Sequence, residues 1–87
     1  MVITFSMDEN RKLEAIIVKV IREYEQAVKK HGPFRSPHEG YSVIAEELDE
    51  LWDEVRMLKN FDDRRPGLKK EAIQIAAMVI RYVYDLS

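Results

Sequence analysis

Every glycine and proline in this chain falls in one of two places. Gly32, Pro33, Pro37 and Gly40 share one segment, and Pro66 and Gly67 form the other. Both residue types disfavour helix interiors, so they act as punctuation. Between them lie three long stretches rich in Glu, Lys, Leu, Ile and Ala, with no Asn-Gly or Asp-Gly hairpin signal. The pattern predicts an all-α chain of three helices, over about residues 7–31, 37–60 and 66–86. At 87 residues it is a single domain spanning 1–87.

The first stretch places Leu13, Ile16, Ile17, Val20, Tyr24, Ala27 and Val28 at steps of three and four, which makes one apolar face. Ser6 with Glu9 reads as a capping box. Lys29, Lys30 and His31 before Gly32-Pro33 read as a stop, with cations at the negative end of the helix dipole. Ser36-Pro37-His38-Glu39 opens the second helix with an N-cap Ser, a Pro at the first helical position and a Glu three residues after the Ser. Ile44, Leu48, Leu51, Val55 and Leu58 then give a narrow apolar seam suited to a bundle. The third stretch is apolar nearly all round: Ala72, Ile73, Ile75, Ala76, Ala77, Met78, Val79, Ile80, Tyr82, Val83 and Tyr84. Such a helix belongs in the centre of a bundle. Three helices of one short chain do not surround it, so a four-helix-type bundle completed by homo-oligomerisation, as a dimer or dimer of dimers, is expected. A compact monomer with an exposed patch is the alternative. The first five residues have strand-like composition in a run too short to interpret.

Charge narrows the function classes. Fourteen basic and sixteen acidic residues give a formal net charge of −2, unlike domains that bind nucleic acid through bulk positive charge. With no cysteine there is no disulfide staple and no Cys-based zinc site. No apolar run approaches the ~20 residues that span a bilayer, and residues 1–5 lack the basic start and long apolar core of a signal peptide. A soluble cytoplasmic protein, with neither nucleic acid nor membrane as partner, is the expectation.

The second helix carries Glu46-Glu47-Leu48-Asp49-Glu50-Leu51-Trp52-Asp53-Glu54, six acids in nine residues. Like charges three and four apart repel, so this run needs a reason. On a helical wheel Glu47 and Glu54 fall beside the apolar seam, at the edge of the core. Carboxylates gathered there call for a counter-charge, and oxygen-only ligands suit magnesium or manganese better than zinc. A solvated acidic face is the plainer reading of the same run. On the third helix Glu71, Gln74, Met78, Arg81 and Asp85 share one stripe. Polar groups on a buried helix need partners. If this stripe faces the second helix, both supply one site. Otherwise, Arg81 pairs with Asp85 and Glu71 caps the helix.

Glu46-Glu47-x-x-Glu50 followed by Glu71-x-x-Gln74 resembles the MazG-like all-α nucleoside triphosphate pyrophosphohydrolases, whose signature is EExxE, a spacer, then ExxD on two helices. Ser36-Pro37-His38-Glu39-Gly40-Tyr41, the run Ile44 to Trp52, and Ile75-Ala76-Ala77-Met78 are similar to small, phage-like members. The resemblance covers about residues 31–86. It implies magnesium-dependent cleavage of a nucleoside triphosphate to the monophosphate and pyrophosphate, with manganese as a possible substitute. Carried over by position, Glu47, Glu50 and Glu71 match metal ligands. Gln74 stands where the family has Asp, bringing a carbonyl but neither charge nor basicity.

In that chemistry metal ions bridge carboxylates to phosphate oxygens and activate a water for attack on the α-phosphorus. Glu46 or Glu54 is the candidate to orient that water. Arg35, Arg64, Arg65, Lys69 and Lys70 are candidates to meet the distal phosphates, each also readable as a solvated surface charge. Phe34, His38, Tyr41 and Trp52 are candidates for an aromatic slot for the base. For His38 a plain surface position, and for Trp52 a core or subunit contact, are the competing readings. Two other functions remain open: a catalytically inactive relative serving as a helical oligomerisation or interaction module, and an enzyme like phosphoribosyl-ATP pyrophosphatase.

Overall fold

A computed structural model describes residues 7–86. The expected cap at Ser6 and the run 1–5 lie outside the described residues. Three helices follow in order: α1 Met7–His31, α2 Pro37–Arg56 and α3 Pro66–Asp85. No described residue is in a strand, and the chain is all-α as the punctuation predicts. No helix among the described residues is long and apolar enough to cross a membrane.

The helix ends follow local chemistry. Gly32 closes α1 with φ +69°, the left-handed conformation that glycine adopts without steric cost. Ser36 caps α2, its Oγ accepting from Glu39 N at 3.1 Å, while Glu39 Oε1 accepts from Arg35 N at 3.2 Å. The Glu thus reaches one residue further back than a standard capping box. α2 ends at Arg56 rather than near residue 60. Past Met57 the polar side chains take over the backbone: Asp62 N donates to Asn60 Oδ1 at 2.9 Å and Lys59 N to Asp63 Oδ2 at 3.2 Å. Asn and Asp compete with helix in this way, and apolar periodicity does not report it.

α3 packs against both α1 and α2, which do not pack against each other. The buried core is small: Val20 of α1, Phe34 of the first loop, and Ala77 and Met78 of α3. Tyr24, Ala27, Val43, Ile44, Ile73, Ala76 and Tyr82 pack around it. Gly40 lets α2 approach α3 closely, since a Cβ there would lie 2.4 Å from the Tyr82 ring. α2 therefore turns Gly40, Val43, Ile44, Glu47, Leu51 and Glu54 toward α3.

One expectation is corrected here. The seam Ile44–Leu48–Leu51–Val55–Leu58 is not a buried unit: Leu48 and Val55 are exposed beside Trp52, and Leu58 lies beyond the helix. Within one chain α3 is central and not enclosed: α1 and α2 leave one of its sides open. Val79, Ile80, Val83 and Tyr84 face outward, Val83 being 62% exposed. On α1 the apolar face splits likewise: Val20 is buried, while Leu13, Ile16 and Ile17 are exposed.

Candidate metal centre

α2 runs antiparallel to α3, as the pairs Gly40–Tyr82, Glu47–Gln74 and Glu54–Gly67 record. This register sets Glu47 and Glu50 against Glu71. One carboxylate oxygen from each lies within 4.8 Å of the other two. Glu47 and Glu71 are half-buried and Glu50 is exposed, so the group sits at the lip of the helix pair. Glu47 is pushed up from 4.5 to about 7, first by burial, then by the charges of Glu50 and Glu71. Glu71 is also raised, by burial and by its contact with Glu50, with the Lys70 charge acting in the opposite direction.

Gln74 completes the group. With its amide nitrogen turned inward it donates to Glu47 Oε2 at 2.9 Å and to Glu71 Oε2 at 3.2 Å. Both bonds are to carboxylate oxygens and strengthen when those groups ionise. The amide thus holds two carboxylates toward a common point without contributing charge. For its carbonyl to act as a fourth ligand, the side chain would have to turn over.

The rest of the α3 stripe does something else. Arg81 is only 3% exposed. Its Nη2 donates to Gly32 O, its guanidinium lies 4.0 Å from the centre of the Phe34 ring, and its Nε stands 3.9 Å from Asp85 Oδ2. Asp85 Oδ2 in turn accepts from Phe34 N at 2.8 Å. Arg81 and Asp85 therefore clamp residues 32–34 onto α3, and this clamp fixes where α2 begins. The stripe divides: Glu71 and Gln74 join the carboxylates of α2, and Arg81–Asp85 hold the first loop. Glu71 is not a capping residue. Arg65 is the α3 N-cap and makes no side-chain cap bond.

The other expected site residues are placed as follows. Glu54 is half-buried as the wheel requires, but it pairs with Arg65 at 3.0 Å and its carboxylate lies over Gly67. Glu54 and Arg65 are thus engaged in closing the second loop. Glu46 is exposed and outside the carboxylate group. Arg35 and His38 are exposed at the start of α2. Phe34 is buried under Arg81, which removes it as a base platform. Trp52 is 60% exposed and borders a shallow apolar depression with Leu48, Leu51 and Val55. Lys70 is exposed beside Glu71.

A cleft of about 280 Å³ opens between α1 and the α2–α3 pair. Glu47, Gln74 and Met78 lie on one side, and Glu23, Gln26 and Lys30 on the other. These α1 residues were missed by sequence reasoning, which gave α1 only a packing role. The available signal was weak: Glu23, Gln26 and Lys30 recur at three and four on the flank of the Val20–Tyr24–Ala27 face. No family model, curated protein or solved structure matches the chain.

Proposed function

We propose that this protein is a magnesium-dependent nucleoside triphosphate pyrophosphohydrolase that releases a nucleoside monophosphate and pyrophosphate. The observation that carries this reading is the convergence of Glu47, Glu50 and Glu71, from two antiparallel helices, at the edge of a cleft. Three carboxylates this close repel, and burial raises the penalty for Glu47 and Glu71. The donor set is all oxygen, which fits a hard divalent cation such as magnesium or manganese. Glu47, Glu50 and Glu71 would hold the ion, which when bound would offset phosphate charge and acidify a water. Gln74 orients the Glu47 and Glu71 oxygens. The water-orienting role expected of Glu46 or Glu54 gains no support from their positions. The resemblance to the MazG-like family in residues 31–86 supports the substrate class.

Self-association belongs to this reading. Leu13, Ile16 and Ile17 of α1 and Val79, Ile80 and Val83 of α3 are exposed apolar side chains. They are about half exposed, so burying the rest of each would contribute about 1 kcal/mol. A second copy over these faces would complete a four-helix-type bundle as a homodimer or dimer of dimers.

The test is pyrophosphate release from a panel of ribo- and deoxyribonucleoside triphosphates with magnesium or manganese. Release by the parent and not by Glu47→Gln supports the enzyme. Calorimetric magnesium binding that survives unchanged in the Gln variants of Glu47, Glu50 and Glu71 would sink it. A second reading is an inactive helical interaction module, favoured by the Gln74 amide, which quiets two carboxylates without an ion. That reading expects a melting temperature indifferent to magnesium and nucleotide.

A further inference from the structure

The cleft beside the carboxylates continues along α1 into a second hollow of about 260 Å³, the two sharing Glu23 and Gln26 as wall. Lys19 and Arg22 of α1 and Lys70 and Ile73 of α3 line it. Lys19 and Arg22 are three apart, so they share a face and repel each other. None of the three cations forms an ion pair with any described residue, although Glu23 stands among them. Three cations that line one hollow differ from a scatter of surface lysines: their fields add in the shared space. The trough therefore carries opposite charge at neighbouring positions, Glu47 on the α2 side and cations at the Lys19 end.

We infer that the Lys19–Arg22–Lys70 hollow is a phosphate-gripping subsite for the diphosphate portion of the ligand, with Arg22 as its principal contact. This rests on the proposed metal-dependent activity, and names residues of α1 that the motif-bearing helices do not supply. A diphosphate held there would lie next to the cleft that Glu47 borders, and Glu47, Glu50 and Glu71 would hold a cation that offsets its charge. Arg22 offers a planar fork that matches two phosphate oxygens at once; Lys19 and Lys70 act as point charges. The cations at Arg35, Arg64 and Arg65 are not in this hollow. Arg65 pairs with Glu54, and Arg64 Nη1 is spent on Phe61 O and Asp63 O.

The experiment is calorimetric titration of the full chain with inorganic pyrophosphate, with and without magnesium. The variants are Arg22→Gln, the double Lys19→Gln/Arg22→Gln, and Lys12→Gln as a matched charge change on α1 away from the hollow. All three remove exposed charge, and circular dichroism checks that the helices persist. Arg22→Gln is expected to weaken pyrophosphate binding about tenfold, the double variant more, and Lys12→Gln not at all. Equal affinity in the parent and the double variant overturns the subsite, as does absence of pyrophosphate binding in the parent or an equal loss in Lys12→Gln. The metal-dependent reading fails separately: pyrophosphate binding that is sensitive to Arg22 but indifferent to magnesium keeps the subsite and counts against that reading.

Discussion

Replacing Glu47 by Gln should make the metal-free protein more stable at alkaline pH while removing its response to magnesium. Glu47 is held at about 7 against an ordinary 4.5. Between those values the folded chain binds more protons than the unfolded chain. Stability is therefore fully present below 4.5, falls as pH rises, and levels off above about 7. At about 1.4 kcal/mol per pH unit the interval sets a ceiling of about 3.5 kcal/mol. Water reaches the lip of the site and screens the charges, so about 1 kcal/mol is the expected loss. Glu71 adds to it in the same direction. The assay is urea unfolding in chelator at fixed protein concentration, at about pH 5 and about pH 8. The parent should lose stability toward the higher pH, and Glu47→Gln should lose less. Magnesium at about 100 times its dissociation constant should restore about 2.7 kcal/mol to the parent and little to the variant. A flat parent profile in chelator, or a variant less stable than the parent at about pH 8, would refute the reasoning.

Other substitutions test the frame around the site. Arg81→Met leaves Asp85 buried without its partner and should cost about 3–5 kcal/mol by urea unfolding. Gly40→Ala puts a methyl 2.4 Å from the Tyr82 ring; prising α2 from α3 should cost about 1–3 kcal/mol and weaken magnesium binding with it. Gln74→Asp adds a carboxylate to the group, so the metal-free protein should be less stable and magnesium binding tighter by about tenfold, read by calorimetry. If the proposed self-association holds, Val83→Glu, which places a charge on the outer face of α3, should shift the parent's dimer to monomer in sedimentation, with helicity retained.

The candidate site was legible because its signal is local. Glu47 and Glu50 are one turn apart, Glu71 and Gln74 are one turn apart, and helical geometry alone puts each pair on one face. The seam position of Glu47 likewise predicted partial burial, which its raised proton affinity reflects. Glu54 shared that position and was legible to the same degree. Its pairing with Arg65 depends on how the second loop turns, which the helical wheel does not contain. The end of α2 was misplaced for a similar reason. Asn60, Asp62 and Asp63 compete for the backbone through hydrogen bonds that depend on the turn they make.

The sequence by itself determined three helices, their punctuation and the pairing of acids on two of them, since these follow from backbone preferences and a period of 3.6 residues. Only the tertiary structure decided what the α3 stripe is for. Arg81 and Asp85 lie on the same helical face as Glu71 and Gln74, but they meet the loop at Gly32–Phe34 rather than α2. The same holds for α1, whose Lys19, Arg22 and Glu23 acquire a shared hollow only because α1 leans on α3, which supplies Lys70 and Ile73 to it. Periodicity tells which residues share a face of one helix; which other helix that face meets is fixed by long-range packing, and no local spacing encodes it.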